Sequence, residues 1–190
     1  MMAPSRSSSR LMVALATSGL LALSLACSGK DPYNPGTPLG TFHVTAKLAR
    51  TSCGPTPDPW EFDVKLNHDG TILYWIQGGA PIHGAVDAAA TTQLRAETVH
   101  DVRAADPKKK LGACTVTRAD RLAVTLAGAD AKPTRDPSLA TTFQGQLTYA
   151  FTPTEGSDCA DQVASMGGGF DALPCEVQYE VLGAFASPPR

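Results

Sequence analysis

From Thr41 onward the chain alternates between apolar and polar residues with a period of two. Phe42, Val44, Ala46 and Leu48 alternate with His43, Thr45 and Lys47. Trp60, Phe62, Val64 and Leu66 alternate with Glu61, Asp63, Lys65 and Asn67, four apolar residues against four polar ones. A strand with one face on a core and the other in water requires this pattern. His68-Asp69-Gly70 then supplies turn chemistry, and 71–76 reads as the returning strand of a hairpin.

The pattern continues more weakly. It predicts a strand over 93–102, and a hairpin from 113–118 and 121–127 about a turn at Ala119-Asp120. Over 142–152, Phe143, Leu147, Tyr149 and Phe151 share one parity; over 175–182, Val177, Tyr179 and Val181 do. The prediction is an all-β fold: an antiparallel meander of about seven or eight strands, closed as a sandwich or a small barrel. Helix is scarce. Residues 85–96 are alanine-rich, with Asp87 placed to cap a short turn. One short helix is expected over 157–166, where Cys159, Val163 and Met166 share a face, with Gly167 to Gly169 as its stop.

The N-terminus follows a different rule. Residues 1–26 hold no acid, Arg6 and Arg10 make a positive start, and 11–26 are apolar or small. This is the layout of a secretory signal, and the apolar run is short for a spanning helix. The segment ends Leu23-Ser24-Leu25-Ala26-Cys27. It resembles a bacterial lipoprotein signal with its lipobox, with Ser24 standing where the commonest pattern has leucine. The resemblance covers the first 27 or so residues. It implies that Cys27 carries the lipid, a thioether to diacylglycerol, and that 1–26 are removed. Ser28 in place of aspartate implies the outer membrane by the best-studied sorting rule. Residues 27–40, rich in proline and glycine, read as the lipidated cysteine and a flexible tether. Residues 41–186 form the single β-rich domain, and 187–190 a frayed tail. The mature domain resembles the small cysteine-bearing lipoproteins of bacterial envelopes.

Composition fits an exported single domain. The chain has 190 residues, 43% of them hydrophobic and 18% charged, with a formal net charge of -2. Residues 27–190 keep all eighteen acidic and fourteen of the sixteen basic residues, a net charge of -4. That balance excludes a nucleic-acid binder of the usual basic kind. With Cys27 given to lipid, Cys53, Cys114, Cys159 and Cys175 remain, an even number in an oxidising compartment. Two disulfides have three possible connectivities. Cys159–Cys175 with Cys53–Cys114 is favoured, because the first closes a glycine-rich loop of about 17 residues, worth ~3 kcal/mol by loop-closure entropy. The spacing offers neither a zinc pair nor a redox C-x-x-C.

Candidate chemistry is thin. His43, His68, His83 and His100 lie in four separate segments and read as solvated. The sequence holds no G-x-S-x-G, no H-E-x-x-H and no phosphate loop after Gly169. Asp69-Gly70 lacks the spaced acids of a calcium loop. No metal and no cofactor are expected. Lys108, Lys109 and Lys110 form the one charge run, at a turn tip, suited to weak attraction for anionic lipid or an acidic glycan. Trp60, Trp75, Tyr74, Phe143, Tyr149 and Phe151 read as core, or else as the lining of an apolar pocket. The expected function is that of a membrane-anchored, non-enzymatic interaction or assembly module, meeting an envelope protein or glycan. The alternative is a lipocalin-like carrier of a small apolar ligand.

Overall fold

A computed structural model describes residues 31–189. The signal segment, Cys27 and the start of the tether lie outside the described residues, as does Arg190.

Eight strands follow one another: β1 (Thr37–Thr51), β2 (Trp60–Asp69), β3 (Ile72–Ile76), β4 (Ile82–Ala85), β5 (Thr91–Arg103), β6 (Cys114–Ala127), β7 (Thr142–Pro153) and β8 (Cys175–Ser187). They form one antiparallel sheet in the order β4-β3-β2-β1-β8-β7-β6-β5. Because β8 returns to pair with β1, the sheet curls into a nearly closed up-and-down barrel, not a sandwich. The two edge strands lie side by side, with Gly84 of β4 close against the Gln93 backbone of β5. Among the described residues their backbone pairing is one isolated bridge just past β4, Val86 with Thr92.

The period-two runs do what they predict, except at Asn67, which is expected on the wet face and is buried. Phe42, Val44 and Ala46 of β1 and Val64 and Leu66 of β2 point inward and are buried, while His43, Lys47, Asp63 and Lys65 face water. The β2–β3 hairpin turns through Gly70 and Thr71, between the paired Asp69 and Ile72. Gly70 has φ +58°, the left-handed conformation that such a tight turn favours. Phe143 fills the interior next to Phe42 and Trp75, at centroid distances of 5.8 and 5.5 Å. Its cross-strand partner is Gly183, where any Cβ would overlap the Phe143 ring.

Several expectations change. Residues 113–127 are not a hairpin but one strand, β6, paired without interruption to β5 and β7 through Ala119 and Asp120. The alanine-rich stretch 85–96 is a turn followed by β5; Asp87 caps the turn through the Ala89 and Thr91 amides. The expected helix over 157–166 is two 3-10 turns, Ala160–Gln162 and Ala164–Met166, separated by an extended Val163. Side-chain ties hold this segment. Arg103 donates from Nε to Asp161 Oδ2 (2.8 Å) and from Nη2 to the Asp158 carbonyl (2.7 Å). The stop at Gly167 is as expected, in the left-handed region.

The tether is shorter than 27–40. Thr37 to Gly40 already belong to β1, which passes its proline at a register shift between Pro38 and Gly40. Asn67 is 2% exposed and donates from Nδ2 to Asn34 Oδ1 and to the Pro35 carbonyl, both at 2.8 Å. A buried amide needs such partners, and these are supplied by the segment just before β1.

The disulfides are Cys53–Cys175 and Cys114–Cys159, not the favoured Cys159–Cys175 with Cys53–Cys114. Register decides the pairing, not proximity in sequence. Thr51 near the end of β1 pairs with Val177 near the start of β8, so Cys53 lands beside Cys175. Cys114 opens β6, and the segment after β7 folds back over it, with Asp158 N bonded to the Ala113 carbonyl.

Candidate functional site

The barrel wall has a gap. β3 and β4 are five and four residues long, whereas β2 and β5 have ten and thirteen. Trp60 to Val64 of β2 therefore pair with β1 alone, and β5 beyond Thr92 pairs with β6 alone. The loop 77–81 spans this seam in place of a strand. A cleft of about 760 Å³ opens there, lined by Trp75, Ile82, Ala96, Thr98, Arg118 and Asp120.

Two of these residues break the rule of the fold. On β6 the even-numbered side chains point inward: Val116, Leu122, Val124 and Leu126 are all buried. Arg118 and Asp120 occupy the same parity. They form a fork, Nε to Oδ1 at 2.7 Å and Nη2 to Oδ2 at 2.9 Å. A strand suits this, since residues two apart stand side by side on one face. The guanidinium also lies over the ring of Tyr149, 4.3 Å from its centroid. Tyr149 is the cross-strand partner of Asp120. Burial pushes its phenol up to about 12, with Arg118 opposing that shift and Asp120 adding to it. The phenol is thus neutral at any physiological pH.

An aromatic row stands behind the pair. Trp60 packs on Phe62 (4.4 Å between centroids), Tyr179 (5.6 Å) and Tyr149 (6.1 Å), and Phe62 meets Trp75 at 6.2 Å. Tyr179 donates its hydroxyl to the Pro57 carbonyl. Arginine has five N–H donors, and the fork with Asp120 uses two. The site therefore offers an apolar wall at Trp75, Ile82 and Ala96, a cation with donors to spare, and a carboxylate already neutralised beside it. That is equipment for holding a flat molecule by its faces and orienting one polar group.

The stability of the pair can be tested. Asp120→Ala is expected to cost about 1–3 kcal/mol, read as a lower urea midpoint, because it strands a half-buried guanidinium. Replacing both residues, Arg118→Leu with Asp120→Leu, should recover most of that loss, since an apolar pair needs no partner. Equal destabilisation by the single and double variants would show that the pair does not act as a unit.

The residues singled out from sequence are distributed unevenly. Trp75 lines the seam cleft, while Trp60 and Tyr149 pack on each other behind it and reach Trp75 through Phe62. Phe143 sits in the packed core, Phe151 stacks on Phe170 at 5.7 Å, and Tyr74 pairs outside with His83. The histidines remain apart: His43 Nδ1 meets Asp63 Oδ1 at 2.9 Å, His68 lies by its own turn, and His100 is exposed on β5. Lys108 to Lys110 do form a turn tip, where the Asp106 carboxylate accepts the Lys108 and Lys109 amides. Arg118 and Asp120 were not among the expected site residues, because a polar interruption in an alternating run resembles a turn. The available signal was that Cys114, Val116, Leu122, Val124 and Leu126 keep one parity across it.

Comparison with protein-family models, with curated proteins and with solved structures finds no match to this chain.

Proposed function

We propose that this chain is a non-enzymatic, lipid-anchored protein of the bacterial envelope that binds a small ligand in the seam cleft of its barrel. The observation that carries the reading is the cleft itself, about 760 Å³, lined by Trp75 and Ile82 and by a guanidinium that keeps donors free. Its volume lies within the usual range for small-molecule sites. The ligand has an apolar or aromatic body and an acceptor, such as a carbonyl or carboxylate, for Arg118. The packed Phe42–Phe143–Trp75 cluster fills the interior beyond it, so the ligand enters from the side and not along the barrel axis. The anchor is Cys27, from the resemblance of the N-terminal segment to lipoprotein signals. Two or three acyl chains would hold the protein stably, each buried CH₂ contributing ~0.8 kcal/mol.

A second reading, the interaction or assembly module, is favoured by the unpaired length of β5. Val99 and Val102 there are 62% and 41% exposed. Such an edge is a template for an added strand.

Native mass spectrometry of the full chain, extracted from membranes in mild detergent, separates the two. The expected result is a covalent diacylglycerol mass that is absent from Cys27→Ser, together with a non-covalent small-molecule adduct. Thr98→Trp, which fills the cleft from an exposed position, should lose the adduct and keep the lipid. A wild-type chain with no adduct, alongside a photo-crosslinker at Val99 that captures one envelope protein, would replace the carrier by the module. Membrane retention of Cys27→Ser would overturn the anchor.

A further inference from the structure

The outer face of the barrel carries one row of side chains in register across five strands. Arg50 of β1 pairs with Gln178 of β8, Gln178 with Thr148 of β7, Thr148 with Arg121 of β6, and Arg121 with Arg95 of β5. With neighbouring strands ~4.8 Å apart, the row runs ~19 Å. It forms the floor of a shallow depression of about 320 Å³, with Gln146 and Ala123 on its upper side.

Arg95 and Arg121 face each other directly. Like charges in a cross-strand pair are unfavourable. Among the described residues, the six ion pairs involve neither of them. Arg95 donates only to Gln93 Oε1, at 3.2 Å, and the Arg121 guanidinium has no side-chain bond among the described residues. Arg50 differs, being held by Glu176 and Gln178. The row thus has two free cations at one end, a neutralised one at the other, and Thr148 and Gln178 between them. Ala119, Ala123 and Ala150 keep the middle of the face flat.

We infer that this row binds an acidic polysaccharide lying across the strands, with one carboxylate gripped between Arg95 and Arg121. An arginine fork matches a carboxylate in two parallel bonds, and a carboxylate between two forks removes their repulsion. Beyond them Gln146 is exposed and Gln178, though it accepts from Arg50, is half-buried on the next strand, while Thr148 between them is only 9% exposed; the two amides suit the hydroxyls of a sugar chain. Arg95 also borders the seam cleft, but Arg121, Gln146 and Gln178 line the outer depression alone, so the inference stands whether or not the cleft takes a ligand. It also relocates the expected glycan contact. The Lys108–Lys110 turn presents exposed charge, with Lys109 4.0 Å from Asp106. A chain with net charge -4 after residue 26 does not attract polyanions by its overall field, so binding has to be local.

The test is titration of the full mature chain with a short oligogalacturonate at low ionic strength. Saturable binding is expected, weakened about tenfold by Arg121→Gln and by Arg95→Gln, weakened by salt, and unchanged when Lys108, Lys109 and Lys110 are all glutamine. The same two arginine variants should melt no lower than the wild type, because each removes a like charge; this separates lost binding from lost folding. Absent binding, equal binding of a neutral glucan, or equal loss in the lysine variant would each overturn the inference. Inorganic phosphate displacing the oligogalacturonate at equal concentration would leave an anion site without sugar recognition, and would overturn it as well.

Discussion

Replacing Cys53 and Cys175 together by serine is expected to lower stability by about 4–5 kcal/mol, the larger of the two disulfide effects. The bridge closes a sequence separation of 122 residues, against 45 for Cys114–Cys159. Loop-closure entropy grows only with the logarithm of length, so the inner bridge is still worth about 4 kcal/mol. The two loops are nested. With the inner bridge intact, the path that the outer one closes is shorter, and its contribution falls by a few tenths of a kcal/mol. Native-state packing reinforces the entropic term. Both bridges sit at the barrel end where β3 and β4 are too short to complete the wall, so they hold strand ends that lack some of their neighbours. Urea midpoints of the two double variants measure the order, and non-reducing peptide mapping checks the connectivity. A Cys53→Ser/Cys175→Ser protein as stable as the wild type would refute the role given to the outer bridge.

Phe143→Ala should cost about 3–5 kcal/mol, the usual range for an aromatic lost from a packed core. The ring is 1% exposed and bridges two halves of the barrel, touching Phe42 of β1 and Trp75 of β3 from its place on β7. It also covers the bare backbone of Gly183, so its loss opens a cavity that β8 has no side chain to fill. Phe143→Leu should lose less than half as much, since most of the volume is retained. Thermal melts of the three proteins check the series. Equal stability of the alanine variant and the wild type would mean that the ring fills no part of the core.

The strands with strong alternation were readable directly. Phe42 to Leu48 and Trp60 to Leu66 each have one wet face, and side-chain period alone gives their conformation; Asn67, expected on the wet face, is buried instead. So was the β2–β3 turn, because Gly70 has one dominant use there. What escaped the sequence is non-local. The pairing of Cys53 with Cys175 follows from β8 closing on β1, which no short-range pattern encodes. The seam escaped for a similar reason. It arises from the brevity of β3 and β4 relative to strands distant in sequence, and β4 itself, Ile82-His83-Gly84-Ala85, was not anticipated because four residues carry too little periodicity. Arg118 and Asp120 were misplaced because their polarity argued for a turn while their neighbours' parity argued for a strand. Tertiary pairing on both sides of β6 settled it. Charged residues inside an otherwise apolar face are where a local reading fails, and they mark the candidate site here.

The two hydrogen bonds of Asn67 set an operating radius. They fix the chain at Asn34 and Pro35, so seven peptide steps, not the fourteen to Thr41, separate Cys27 from the first point held by the barrel. Fully extended, seven residues reach about 25 Å. With Cys27 lipidated as proposed, Asn34 and the end of the barrel that holds it stay within about 25 Å of the membrane surface. On that proposal, a ligand for the cleft or the arginine row would be met close to that surface.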